Sequence, residues 1–533
     1  MKERRIKTLI ALCSAIMIIM IFTACGGKDT SQSLTINGSA VEEPVREHFD
    51  MAEMMAAMFG AGGMPGGAPG AAGGAPAVVD GAPGESAPGN AAAGGPGGMA
   101  GGTGGMAGGP PGMGSDENSI PAVYVDNGKY SASKSKKDVV TAGEIKDNYA
   151  SGLKVDAEGG GIGGVYVKGT GSEFTLSNSD ITVSGDSTGV EGGMNTGATS
   201  TDYGTLILRN VNITTDGKSR CATSATKYST LKVYNSTLTS YGGSEDATAE
   251  TAQSSGRRVN NYSRTHCSMS NSYAYFYYST IIANGWGALS TDGAEGFVYL
   301  EANNCKIQNT KTGYGTYADG SCHDVFNNCE FDVAATGAVI AGEADATFRN
   351  TNVKSGENFV MIHCVMGSYK EVSTLNVTGG EIICKDVGVL VKSQNAILNF
   401  NGVKMTSESG LLVKSVVNDD TNATKTEGKK VYGIHTIFRD MEVSGDIVDE
   451  DTDRDMYVYL ESTTTLKGAI KDAYIKIDSS SRWIATADSN VTITGDFSIN
   501  QIDAPAGVTI NALAGQSGTF KLAGGGTLIL KNS

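Results

Sequence analysis

Proline is scarce in most of this chain of 533 residues. Eight of its 11 prolines lie between Pro65 and Pro111, and residues 117–533 contain only two. Because proline has no backbone N–H to donate, a long segment nearly free of it can form paired strands throughout. The chain therefore divides into a Gly/Pro-rich segment, with 23 glycines in residues 60–114, and a large domain that follows it.

Charge is also limited, since only 18% of the residues are charged, and acidic residues outnumber basic residues by 57 to 41. The net charge of −16 disfavours binding to a polyanion, so we expect no nucleic-acid partner. The sequence lacks the GxxxxGKS/T phosphate-binding loop, the HExxH zinc motif and CxxC pairs. Nucleotide binding by such a loop and catalysis by such a zinc site therefore have no support.

The first 24 residues have the form of a secretory signal, with a basic start and an apolar run from Leu9 to Phe22 that is short for a membrane span. The sequence Phe22-Thr23-Ala24-Cys25 resembles the lipobox of bacterial lipoproteins, with Phe22 where leucine is usual. This resemblance implies cleavage before Cys25 and attachment of a diacylglyceryl group to its sulfur. We therefore expect export, with the lipid on Cys25 holding the protein on the outer face of the bacterial cell membrane.

Seven cysteines remain in the large domain, an odd number without the spacing of a disulfide framework. We expect them to be buried thiols that serve as small apolar side chains. Residues 25–58 form the lipidated N-terminus in this interpretation, with a short helix predicted from Pro44. Residues 59–116 are rich in Gly, Ala, Pro and Met and are predicted to be a disordered linker, because they cannot bury enough apolar surface to fold.

A repeated element, apolar-x-Asn-x-x-apolar, recurs in the large domain, mostly every 22–32 residues. Each copy begins with alternating apolar residues, which predicts a short strand with one face inward. The repeat predicts a parallel β-solenoid in which each Asn occupies a bend and its buried amide bonds the next Asn along the axis. The six predicted members of this Asn ladder are Asn178, Asn210, Asn235, Asn304, Asn328 and Asn350.

The fold class predicted is all-β, a single-stranded parallel β-helix over residues 117–533, with its final coils and cap in 456–533. The sequence resembles right-handed parallel β-helix proteins of the pectate-lyase-like superfamily, and more narrowly the β-helix surface lipoproteins and adhesin-like proteins of bacteria. Segments 287–293, 313–320 and 337–343 in successive coils show this resemblance, and Arg482 to Gly495 is similar to the closing coils of autotransporter passenger domains. The resemblance implies a fold, and the superfamily has no single activity.

Acidic residues and one histidine cluster in residues 290–345. Counting back from the Asn of each coil places Glu295 beside Asp319 and His323 beside Asp345 on adjacent coils. These four residues are candidates for acid–base catalysis on a uronic-acid polymer. A Ca²⁺ site is the alternative, and apart from Ca²⁺ no cofactor is expected. The interpretation that we favour is a solvated ladder of acidic turns.

The carboxylates that would bind this Ca²⁺ are those of Asp292, Glu295, Asp319 and Glu343.

Tyr273, Tyr275 and Tyr277 alternate with apolar residues, so the three phenol rings should project outward from one strand. Tyr234 should join them in the preceding coil. Aromatic faces aligned in this way stack on sugar rings, and their hydroxyl groups form hydrogen bonds. A surface ladder covered by the insertion over residues 242–271 is the alternative interpretation.

The sequence therefore favours a lipid-anchored, surface-exposed β-helix, expected to be a monomer, that acts as a binding or adhesion module for glycans. The alternative is an enzyme, a polysaccharide lyase or hydrolase acting on acidic polysaccharide. A structural spacer at the cell surface is the third possibility.

Overall fold

The fold is that of a computed structural model, which describes residues 119–187, 192–242, 263–363, 369–418 and 431–532, together with two short strands near the N-terminus. The chain divides into two compact units, Met1–Val45 and Arg46–Ser533. In the first unit, Thr35–Ile36 pairs antiparallel with Ser39–Ala40.

The predictions for the N-terminal part of the chain fall on residues that the structure does not describe. They are the signal in residues 1–24, the lipidated Cys25, the helix from Pro44 and the linker over 59–116. Each of them stays a prediction.

Parallel strand pairing organises the second unit into a β-helix, as the repeat predicted. Leu208 pairs with Leu176 on one side and with Val233 on the other, so residues 32 and 25 positions apart in sequence become neighbours. The chain runs through three sheets in turn, here called A, B and C, and then begins the next coil. Each strand therefore lies beside the corresponding strand of the coils before and after it.

The strands of sheet A, in chain order, are Ile120–Asp126, Ile162–Lys168, Ala198–Thr201, Thr223–Ala225, Arg264–Met269, Gly287–Asn303, Tyr314–Asn327, Thr336–Ala341, Val360–His363, Val389–Lys392, Leu411–Val416, Asp446–Glu450 and Ile470–Ile477. Three of these strands, Gly287–Asn303, Tyr314–Asn327 and Ile470–Ile477, continue into sheet B. Ile470–Ile477 is followed in the ladder by Ser489–Ile493, Thr509–Ala514 and Thr527–Asn532.

The other strands of sheet B are Tyr149–Glu158, Glu173–Ser177, Thr205–Arg209, Thr230–Tyr234, Tyr273–Tyr277, Asp345–Arg349, Val372–Thr378, Asn395–Asn401, Ile434–Arg439 and Met456–Glu461. Sheet C begins with the second part of Tyr149–Glu158. Its further strands are Asp180–Ser184, Asn212–Asp216, Thr237–Ser240, Thr280–Ala283, Lys306–Asn309, Glu330–Val333, Asn352–Ser355, Glu381–Cys384 and Lys404–Ser407. A separate ladder of four strands comprises Glu442–Ser444, Thr465–Lys467, Arg482–Ile484 and Ile502–Asp503.

Antiparallel strands occur at both ends of the β-helix. At the N-terminal end, Lys129–Tyr130 pairs with the first strand of sheet A and Val140–Ile145 pairs with Tyr149–Glu158. At the C-terminal end, Gly518–Lys521 pairs with Thr527–Asn532. These pairings protect the edge strands, whose exposed N–H and C=O groups would otherwise pair with another chain. Two short 3₁₀ helices, Lys137–Val139 and Ile499–Gln501, complete the described elements.

Alternate side chains of each strand fill the interior, as the period of two predicted. Phe326 and Phe348, from adjacent coils, lie 5.0 Å apart between ring centroids, and Phe348 lies 5.4 Å from Phe359. The six described cysteines are all buried, which confirms the expectation of thiols used as small core residues.

The six Asn residues of the repeat lie in file at the corner between sheets B and C, and all have left-handed backbone conformations with φ between 47° and 54°. Asn tolerates this conformation better than most residues, which explains its recurrence at the bend. The expectation of a buried amide ladder was wrong, because these side chains are exposed at the corner. Among them, one amide contact joins two Asn side chains, from Asn210 to Asn178 at 3.4 Å.

At three of the six bends, the residue after the corner Asn is a serine or threonine that satisfies the backbone instead. Ser179, Ser236 and Thr351 are buried, and their hydroxyl oxygens accept hydrogen bonds from the backbone N–H groups of Leu153, Val211 and Cys329. A buried hydroxyl ladder therefore satisfies the backbone donors of these bends.

Candidate functional site on sheet B

Three tyrosines project outward from one strand of sheet B. In Tyr273–Tyr277 the side chains of Ala274 and Phe276 are fully buried, whereas Tyr273 is 40% exposed and Tyr275 and Tyr277 are partly exposed. This alternation confirms the predicted orientation of the three rings.

Tyr234 lies beside Tyr277 in the preceding coil, as predicted. The two rings stack with centroids 5.0 Å apart and planes 9° apart, and the guanidinium carbon of Arg209 lies 4.3 Å from the centroid of Tyr234. Both faces of Tyr234 are therefore occupied within the protein. The expectation of aligned open faces was wrong at Tyr234, because its ring is stacked between Arg209 and Tyr277 along the helix axis.

The histidine and aspartate predicted as neighbours do pair across adjacent coils. His323 lies opposite Asp345, with its Nδ1 atom 3.8 Å from an Asp345 carboxylate oxygen. The same row contains Tyr273 and Tyr299, and the rings of Tyr299 and His323 stack 5.8 Å apart. The acid–base pair and the tyrosines, treated separately in the sequence, therefore share one face of sheet B.

Tyr299 is the residue of this face that sequence reasoning missed. Its hydroxyl donates a hydrogen bond to a Glu301 carboxylate oxygen at 2.8 Å. Burial, together with that hydrogen bond and the negative charge of Glu301, raises the pKa of Tyr299 well above its ordinary value, so the phenol stays protonated. The signal was present, because Tyr299 stands five residues before Asn304, just as His323 stands five before Asn328.

An amide and guanidinium row runs beside the aromatic rings. The Asn327 amide donates to the Asn303 side-chain oxygen at 2.9 Å, the Asn303 amide donates to Glu301 at 2.8 Å, and Arg349 donates to the Asn327 oxygen at 3.2 Å. Each of these bonds joins outward-facing side chains, so they hold the face in one arrangement before any ligand arrives.

We call the whole outward surface the tyrosine platform. It consists of Arg209, Lys232, Tyr234, Tyr273, Tyr275, Tyr277, Tyr299, Glu301, Asn303, His323, Asn327, Asp345 and Arg349.

The predicted column of Glu295 and Asp319 does not form. Asp319 instead lies opposite Asp292, on the outer side of sheet A, and the pairing register shifts between Gly293 and Val298. Counting from the Asn crosses the connection between sheets A and B, whose length differs between the two coils, and the count therefore fails. Glu295 accepts a hydrogen bond from Ser270 at 2.9 Å.

Asp319 is the most perturbed carboxyl of the predicted acidic set. Burial, followed by the negative charge of Asp292, raises the pKa of Asp319 above its ordinary value, although Arg264 counteracts both effects. Asp319 lies on sheet A, and His323 and Asp345 lie on sheet B, so the four catalytic candidates do not form one site.

The four carboxylates proposed as Ca²⁺ ligands are spread over several coils. Glu343 is buried and follows the strand Thr336–Ala341, one coil beyond Asp319. Within the residues that the structure describes, no group of three or more His, Cys, Asp or Glu side chains could hold a metal ion.

Comparison with protein-family models, with curated proteins and with solved structures finds no match for this chain. In the described part of the chain, no helix has the length and hydropathy needed to cross a bilayer.

Proposed function

We propose that this protein binds glycans through the tyrosine platform on sheet B. The observation that carries the proposal is the continuous row Tyr273, Tyr299, His323 and Asp345, which joins aromatic and polar side chains across four coils. A saccharide presents C–H groups and hydroxyl groups together, and phenol, amide and guanidinium groups can contact both.

The side chains of the tyrosine platform are already held in place, which supports a role in binding. The stack of Arg209, Tyr234 and Tyr277 and the hydrogen bonds around Glu301 already fix these side chains. A ligand that docks on them therefore loses little side-chain entropy from the protein. Rigid, partly exposed tyrosines are suited to such contacts.

We further propose that the protein is an adhesion module at the cell surface. The lipobox-like sequence before Cys25 supports export and anchoring to the outer face of the membrane. The Gly/Pro-rich segment that follows it supports display of the β-helix away from that surface.

A saccharide-binding panel tests the platform directly. The purified chain is titrated with cellohexaose, xylohexaose and an oligogalacturonate, and the Tyr275→Ala/Tyr277→Ala variant is titrated with any that bind. We expect loss of about tenfold or more in affinity, equivalent to about 1.4 kcal/mol. Tyr457→Ala/Tyr474→Ala is the matched control, because these rings also stack across two coils of sheet B, 4.9 Å apart and outside the platform. Absence of saccharide binding by the wild-type chain, or an equal loss in the control, would contradict the proposal.

Cleavage of an acidic polysaccharide is a second candidate function, favoured by the 3.8 Å contact between His323 and Asp345 beside the tyrosines. A histidine paired with a carboxylate can move a proton during bond cleavage. The test is incubation with uronate polymers while ultraviolet absorbance of unsaturated products and reducing ends are followed. Product that disappears in a His323→Ala variant would establish the enzyme, and absence of product leaves binding as the function.

A further inference from the structure

Two tyrosines outside the platform are the most conspicuous exposed aromatic pair in the described residues. Tyr203 and Tyr228 are 58% and 54% exposed, and their rings stack with centroids 5.0 Å apart and planes 7° apart. They lie at the corner between sheets A and B, two residues before the strands Thr205–Arg209 and Thr230–Tyr234. Those strands carry Arg209 and Tyr234 of the platform.

The backbone at both positions is in a conformation that tyrosine rarely adopts. Tyr203 has φ of 68° and Tyr228 has φ of 63°, and each follows another left-handed residue, Asp202 or Lys227. Two successive left-handed residues form a type I′ turn, whose second position favours glycine. The first coil follows this rule, because Asn127 and Gly128 occupy the same turn.

In the next coil, asparagine occupies the turn position that corresponds to Tyr228. Tyr228 donates its backbone N–H to the Ser270 carbonyl at 3.1 Å, which places Asn271 opposite Tyr228 in the file. Asn271 has φ of 57°, and this left-handed conformation is less strained for asparagine than for a bulky residue. Tyrosine at the two preceding turns is therefore a costly choice for the fold, by roughly 1 kcal/mol for each residue.

The two rings contribute little to the stability of the fold in compensation for this strain. In the described part of the chain neither phenol hydroxyl has a hydrogen-bond partner, and the described ring contact of each is with the other. Strain of this kind that packing does not require points to a function.

We propose that Tyr203 and Tyr228 form a second aromatic subsite, which binds a pyranose ring of the same saccharide as the platform. The proposal rests on the proposed function. Tyr228 lies six residues before Tyr234, and the strand Thr230–Tyr234 makes up most of that interval, so the two residues are at most about 20 Å apart. An oligosaccharide of several units can span this distance. The ligand chain therefore runs across sheet B from this corner toward the rings of Tyr234 and Tyr277.

The surroundings of the pair fit a sugar better than a protein. Asp202 and Lys227 directly precede the two tyrosines in the chain, and Asp202 pairs with Lys168 at 3.5 Å between charged atoms. Such charged groups can form hydrogen bonds with sugar hydroxyl groups. Two rings are also a small patch compared with the roughly 800 Å² that each partner buries in a specific protein–protein interface.

The test replaces both tyrosines by the residue that the next coil uses. In Tyr203→Asn/Tyr228→Asn the backbone strain falls, so we expect the thermal midpoint to stay the same or rise. Affinity for the hexasaccharide that binds the wild-type chain is expected to fall at least fivefold, whereas affinity for the matching disaccharide, too short to reach the corner, should not change. Tyr241→Asn is the control, since Tyr241 is 50% exposed but lies after a strand of sheet C.

The outcomes separate the two proposals. Failure of the wild-type chain to bind any saccharide overturns the proposed function, and the subsite with it. Hexasaccharide binding that Tyr275→Ala/Tyr277→Ala removes but Tyr203→Asn/Tyr228→Asn leaves intact overturns the subsite alone. A lower thermal midpoint in Tyr203→Asn/Tyr228→Asn shows that the pair serves the fold, and it also overturns the subsite.

Discussion

Asp324 is an acidic residue that lies inside the β-helix and is fully buried. Its neighbours in the adjacent coils of sheet B are the buried apolar residues Leu300 and Ala346. Its carboxylate oxygens accept hydrogen bonds from Thr291 at 2.9 Å and from Thr316 at 2.8 Å. Burial raises the pKa of Asp324 to about 7, even though both hydroxyl groups act in the opposite direction.

This raised pKa predicts a pH-dependent stability. Since the folded-state pKa lies above the unfolded value of 3.8, the stabilisation from Asp324 is fully present below about pH 4 and is lost as the pH rises through 7. We expect Asp324→Asn to raise the free energy of unfolding by roughly 2–4 kcal/mol at about pH 9 relative to the wild type, with little gain at about pH 4. Chemical denaturation at both pH values measures the difference.

The control for that prediction is Asp332→Asn, which removes an exposed carboxylate from sheet C of the same coil. It should change stability little at either pH. An Asp324→Asn variant that is equally destabilised at both pH values would refute the assignment of a neutral, buried carboxyl.

Arg220 is fully buried and bonds to backbone carbonyl groups. Its guanidinium donates to Gly159 at 3.0 Å, to Ile162 at 2.7 Å, to Gly185 at 2.8 Å and to Asn195 at 2.6 Å. Burial lowers the pKa of Arg220 to about 10, so the group remains charged at neutral pH. The side chain therefore ties together the bends of neighbouring coils.

Replacing Arg220 should lower the free energy of unfolding more than replacing an exposed cationic residue does. We expect Arg220→Met to lower the free energy of unfolding by about 3 kcal/mol or more, because four buried carbonyl groups lose their donor. Lys218→Met, two residues away and partly exposed, should lower it by less than about 0.5 kcal/mol. Equal thermal midpoints for the two variants would contradict this role.

At the scale of an element, the bend between sheets B and C depends on one left-handed residue. Asn328 has φ of 52°, and its side chain is exposed. We expect Asn328→Val to lower the free energy of unfolding by about 1–2 kcal/mol, since a β-branched residue is strained in this conformation, and Asn328→Gly to have a much smaller effect. Urea denaturation of the two variants measures the difference, and a loss of equal size in both would show that the amide, not the backbone, matters.

Neighbours on adjacent coils were predicted correctly from the sequence where the residues counted back from the corner Asn all lay in one strand. His323 and Asp345 both stand five residues before an Asn, and they are paired in the structure. Glu295 and Asp319 stand nine before, and that count crosses a connection of variable length. Register is fixed by hydrogen bonding along a strand, whereas a loop can gain or lose residues without altering the strands beside it.

The stacking of side chains and the position of one buried carboxyl could not be predicted from the sequence, for a different reason. The outward direction of Tyr275 follows from alternation, but the stacking of Tyr234 on Tyr277 depends on side-chain rotamers that the pattern does not specify. The interior position of Asp324 was missed because a charged residue in a strand is normally placed on the solvent face. Its partners, Thr291 and Thr316, come from another sheet.

At the scale of the β-helix, the coils bring together residues that are far apart in sequence. Arg209 and Arg349, 140 positions apart, occupy the same row of sheet B, with tyrosines and asparagines between them. A surface of this length can contact several units of an extended polymer at once, and weak contacts then combine into useful affinity. The proposed glycan binding follows from this arrangement and not from one residue.

The most direct test of glycan binding by sheet B is hydroxyl-radical footprinting of the wild-type chain, read by mass spectrometry, with and without the saccharide that binds most tightly. We expect saccharide to lower oxidation of Tyr273, Tyr275 and Tyr277, while Tyr457 and Tyr474 on the same sheet are oxidised as before. Protection confined to sheet A, around Tyr317, or equal protection of both groups of tyrosines would contradict it.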